Sequence, residues 1–127
     1  MKKRVVPAII GLLVLAALAA GNRFLRAEDA VADVTLKGVV VDMHCFVTRG
    51  AADAEHAGCA NACIARGVPA GFLAADGALY LLLDEKPVSV KDRVKDLAAV
   101  PATLTGTPVA RGGVRGIRIK SIEKAMP

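Results

Sequence analysis

Residues 70–83 read AGFLAADGALYLLL, and the class of fold turns on them. Ala70–Ala74 is a short apolar run, Asp76-Gly77 is a strong hairpin signal, and Ala78 to Leu83 is apolar without interruption. Glycine at a tight hairpin turn reaches positive φ without steric cost, so the stretch predicts two antiparallel strands. The unbroken run further predicts that the second strand is covered on both faces. Asp84-Glu85-Lys86-Pro87 ends it.

Working outward towards the C-terminus, Ser89 followed three residues later by Asp92 has the form of a capping box. The stripe Val94, Leu97 and Ala98 then has helical spacing, so a short helix is predicted that stops by Pro101. Thr103–Ala110 alternates threonine with other residues, Arg111-Gly112-Gly113 turns, and Val114–Lys120 sets Ile117 and Ile119 opposite Arg118 and Lys120. That is a closing hairpin. Towards the N-terminus, Val34–Asp42 (VTLKGVVVD) is rich in β-branched residues and predicts a further strand, with Gly38 marking a bulge or bend. The chain is thus mainly β with small helices. Five strands with a helix between the third and fourth is the chain order of the oligonucleotide/oligosaccharide-binding (OB) barrel. A small roll with other connections is the competing architecture. The domain runs over residues 34–127, and residues 43–67 form a helical insertion between its first two strands.

Residues 1–33 differ in kind. Lys2-Lys3-Arg4 precedes the uncharged run VVPAIIGLLVLAALAAG of residues 5–21, which is the charged-then-apolar order of an export signal. Residues 1–27 are therefore read as a signal peptide or an N-terminal membrane anchor, the hydrophobic helix preceding the barrel, with residues 28–33 as a linker. Either outcome sends the domain across the membrane into the periplasm or another extracytoplasmic space. The formal net charge of +5 belongs to this leader, because Lys2, Lys3, Arg4, Arg23 and Arg26 face no acid there. Basic and acidic residues balance in the rest, which argues against a nucleic-acid partner, since phosphate affinity needs clustered cations. Phe46, Phe72 and Tyr80 also offer little on which bases would stack. The membrane and an unknown envelope protein are the expected partners.

The chemistry is confined to residues 42–67, DMHCFVTRGAADAEHAGCANACIARG, which hold Cys45, Cys59, Cys63, His44 and His56. No other cysteine or histidine occurs in the chain. If Asp53–Arg66 is helical and Gly67 stops it, His56, Cys59 and Cys63 share one face, and a loop after the first strand can fold Cys45 over it. Three sulfurs and one imidazole suit a tetrahedral zinc site or, with fewer ligands, copper(I). His44 and Asp42 are supporting or alternative ligands, Asp42 as an acceptor for a ligating imidazole or as the cap of the turn. Arg49 and Arg66 read as solvated charges. If Gly58 interrupts the helix, Cys59 falls in a first turn, where the helix dipole lowers a thiol's pKa. In an oxidising compartment, a disulfide from Cys45 to Cys59 or to Cys63 is the alternative, and it leaves one odd thiol. A catalytic thiol with a histidine base is the sole enzymatic reading. The chain has no paired carboxylates, no phosphate loop, and no serine besides Ser89 and Ser121, so the residues favour a binding domain over an enzyme.

The pattern Gly38, Asp42-x-His44-Cys45, His56-x-x-Cys59-x-x-x-Cys63 and Gly67, followed by Thr105-Gly106 in the closing strands, resembles a group of small exported bacterial proteins over residues 34–123. That resemblance implies export, an OB-like β-barrel domain and a shared cysteine/histidine cluster, with no reaction attached. In architecture the chain is also similar to the membrane-anchored haem chaperone of cytochrome c maturation, although that family's His-x-x-x-Tyr is absent here. Two functions follow as expectations. One is an exported small binding domain, released or membrane-anchored according to the fate of the leader, that holds a transition metal through a Cys3His cluster. The other is a periplasmic interaction domain stapled by a disulfide and free of metal.

Overall fold

The structure is a computed structural model and describes residues 31–126. The leader expected over residues 1–27 and half of the linker, residues 28–30, lie outside the described residues. Among those described, no helix is long and apolar enough to cross a membrane. The elements are β1 (Val34–Asp42), α1 (Met43–Arg49), a 3-10 turn (Ala54–His56), α2 (Ala57–Ala65), β2 (Ala70–Ala74), β3 (Leu79–Leu83), β4 (Pro101–Arg111) and β5 (Val114–Lys124).

Five strands form one closed sheet in the order β1-β2-β3-β5-β4, with β4 pairing back onto β1. Every pair is antiparallel except β3 with β5. The Asp76-Gly77 turn is as expected: Gly77 has φ 86°, and the Asp76 carboxylate accepts from the Ala78 amide. The final hairpin also forms, and Ile117 and Ile119 are fully buried while Arg118 and Lys120 are exposed. Inside the ring, Val40, Phe72, Leu82, Leu104, Ile117 and Ile119 make the core. Ala60 and Ile64 of α2, and Val90, Val94 and Ala98 of the segment after β3, join the same core.

Three expectations need correction. The segment after β3 is not a helix. Single turns form, with the Val94 and Leu97 amides donating to the Val90 and Val94 carbonyls, but Asp96 and Ala99 have φ of 59° and 58° and break the run. The strand β1 competes for the backbone instead, because the Ala99 amide donates to the Val40 carbonyl. The Ser89 hydroxyl caps only the Lys91 amide. β3 is not covered on both faces: Leu82 is buried, while Leu79, Tyr80, Leu81 and Leu83 are half-buried, because both helices pack on β1. Gly38 is not a bulge. It lies in regular register with Ala74 and Ala102, and the irregularity falls at Thr105/Gly106.

The insertion 43–67 is helical, but in two pieces. Asp42 ends β1 and caps α1, its Oδ1 accepting from the Cys45 amide at 2.8 Å. Gly50, with φ 70°, stops α1. Asp53 repeats the device, its Oδ1 accepting from the His56 amide at 3.0 Å. α2 stops where expected: Gly67 has φ 104°, and the Gly67 and Val68 amides donate to the Ile64 and Cys63 carbonyls. These paired bonds are a Schellman motif, which satisfies carbonyls that a helix end leaves open.

Candidate metal centre

Cys45 reaches the site from the first turn of α1 rather than from a loop. Its side chain is only 3% exposed, tucked at the end of β1. His56 closes the 3-10 turn, and Cys59 lies in the first turn of α2. Ligand atoms of Cys45, His56 and Cys59 all lie within 4.8 Å of one another, close enough to hold one metal ion. Cys59 is exposed, so one side of the group meets solvent.

Asp42 orients this group from beneath. It is fully buried, yet both of its oxygens are used: Oδ1 takes the Cys45 amide and Oδ2 lies 3.1 Å from His56 Nε2. Burial alone would raise its carboxyl, but the Cys45 amide and the His56 imidazole outweigh that and hold it below the ordinary carboxylate range. An ionised carboxylate only accepts, so Nε2 carries the hydrogen in the neutral ring and Nδ1 keeps its lone pair. A carboxylate behind a histidine is the arrangement that fixes tautomer and ring orientation in metal sites. Asp42 was read as either a turn cap or an imidazole acceptor, and here one side chain does both.

The remaining residues sort clearly. His44 is exposed on α1 and outside the group. Cys63 is half-buried one turn beyond Cys59 and is not among the three atoms drawn together; Arg66 Nη2 lies 3.4 Å from its sulfur. Arg49 is not a free charge. Its guanidinium donates to Cys45 Sγ at 2.9 Å, and that bond with the sulfur raises the Arg49 pKa above its ordinary value. The i, i+4 spacing of Cys45 and Arg49 was the available signal, but it has meaning only once α1 is known to be a helix. The expected fall in the Cys59 pKa is also corrected. Desolvation of the sulfur and the neighbouring Cys63 thiol push it up, against the helix dipole. The three cysteines are free thiols.

Comparison with known protein families, curated proteins and solved structures finds no match to this chain.

Proposed function

We propose that residues 34–127 are an OB-like domain whose task is to hold one transition-metal ion through Cys45, His56 and Cys59. The observation that carries this reading is the convergence of two sulfurs and one imidazole within 4.8 Å. Two thiolates and a neutral imidazole are soft to borderline donors, suited to zinc or copper(I) and poorly suited to calcium or magnesium. The buried Asp42 carboxylate supports the reading, because it leaves one histidine nitrogen free to ligate. The full Cys3His set adds Cys63, which neighbours the Cys59 thiol but lies outside the three atoms drawn together. The exposure of Cys59 gives the ion a way in and out, which suits sequestration or delivery.

Export is part of the same proposal. The charge order of residues 1–27 supports a signal or anchor that places the domain in the periplasm, next to an envelope partner. The test is elemental analysis of the full chain purified under reducing conditions. About one equivalent of zinc or copper is expected. Cys45→Ser should lose the metal while circular dichroism stays native, and metal-free protein with all three thiols reduced would refute the reading. Cys63→Ser separates three ligands from four by the size of its affinity loss.

A further inference from the structure

We propose that Cys45 and Cys59 are also a dithiol–disulfide pair, so that oxidation by a small-molecule or protein disulfide empties the metal site. This rests on the metal-binding reading and adds regulation to it. The two sulfurs already lie within 4.8 Å of each other, and they stand on different short helices. A disulfide requires about 2.05 Å and a dihedral near a right angle, and two separate elements joined through residues 50–56 can adjust to reach it. Cys59 and Cys63 sit one turn apart on the same helix, where the backbone fixes their separation and direction.

Exposure sets the order of events. Cys59 is exposed, while Cys45 is 3% exposed and beneath the Arg49 guanidinium. An external disulfide therefore meets Cys59 first. The Cys59 thiolate attacks one sulfur of the reagent, forming a mixed disulfide and releasing the first thiolate. The Cys45 thiolate then attacks Cys59 Sγ and releases the second. The two thiol protons leave with the two departing thiolates, so the protein loses two electrons and two protons and the reagent becomes two thiols. The product keeps His56 as the only ligand of the three and retains Cys63 as a free thiol. His56 and Cys63 alone, one imidazole and one thiol, fall short of the three or four protein donors that hold zinc.

The test treats the reduced, metal-free full chain with excess oxidised glutathione, then measures intact mass, free thiols and the linked peptides, with zinc titrated before and after. The expected product has lost two hydrogens, keeps one thiol and links Cys45 to Cys59. Zinc binding should disappear and return on reduction, and zinc bound beforehand should slow the reaction about tenfold or more, because bound thiolates are poor nucleophiles. Cys63→Ser, which leaves the pair intact, should give the same link. A Cys59–Cys63 link, glutathione retained on Cys59 with Cys45 free, or an oxidised protein that still binds zinc would overturn the proposal. Zinc uptake by the reduced chain without any Cys45–Cys59 link removes the switch alone. A link formed in a chain that takes no zinc when reduced removes the metal-binding reading and, with it, the gating.

Discussion

Asp42 is the residue on which fold and site depend together. It ends a strand, starts a helix and backs a histidine, and all of this happens out of solvent. Removing it leaves the Cys45 amide and the His56 ring without their acceptor. Asp42→Ala is expected to cost about 2 to 4 kcal/mol, the sum of a lost helix cap and an unsatisfied buried donor. Urea denaturation measures that. Asp42→Asn separates the two roles, because its carbonyl oxygen still caps α1 while its amide cannot accept from His56 Nε2. Stability should recover by the worth of the cap only, about 1 kcal/mol, and zinc affinity in a competition titration should remain about 10 to 100-fold low. If affinity recovers with stability, Asp42 is a cap and nothing more. Arg49 belongs to the same scale. Its guanidinium lies 2.9 Å from Cys45 Sγ, placed to offset part of the negative charge that two thiolates would bring once the proposed ion is bound.

Among the elements, glycines with opposite surroundings give opposite expectations. A Cβ on Gly38 would run into the Leu73 carbonyl across the β1–β2 pair, and backbone cannot rotate aside as a side chain can. Gly38→Ala should therefore destabilise by about 2 kcal/mol or more. Gly58 lies in α2 with nothing near its would-be Cβ, so Gly58→Ala should stabilise by about 0.5 to 1 kcal/mol and leave zinc binding unchanged. Thermal melts of both variants check the pair of signs. The same elements show what was legible in the sequence. β1 and β2 were read to the residue, because β-branched runs and an Asp-Gly turn act locally. α1 escaped, because seven residues carrying Val47 and Thr48 show no helical stripe; its signals were its ends, Asp42 and Gly50. The stripe Val94 and Ala98 correctly marked burial but not helix, because a hydrogen bond to β1 decides that backbone. At the site, confinement of every cysteine and histidine to one segment made the cluster visible. Which sulfurs converge depended on how two short helices turn against β1, and spacing does not encode that.

For the domain as a whole, acid should act at three places where carboxylates fasten strands. Asp33, before β1, binds Lys120 of β5 at 2.6 Å and Thr107 of β4 at 2.7 Å. Asp84, after β3, faces Arg93 at 3.4 Å, and Arg93 also donates to the Ile119 and Lys120 carbonyls of β5. Asp42 closes β1. All three carboxyls are held below their ordinary values: Asp33 by its bonds to Lys120 and Thr107, Asp84 by the Lys86 amide and Arg93, and Asp42 by the Cys45 amide and His56 against the effect of burial. A carboxyl whose folded pKa lies below its unfolded value, about 3.9 for aspartate, contributes fully above that pH and loses its contribution as pH falls through the folded value. The urea midpoint should therefore be level from about pH 7 to 5 and fall below about pH 4. The three carboxylates should not contribute equally. Asp33 is exposed and Asp84 is half-buried with its 3.4 Å ion pair reached by solvent, so screening leaves each pair worth little, whereas Asp42 is wholly buried. Asp42→Asn should flatten most of the acid limb, and Asp33→Asn and Asp84→Asn should leave it nearly intact. The reverse order would mean that the closed sheet is held from its exposed seams, and that the buried carboxylate orients His56 at the proposed metal centre without contributing to the fold.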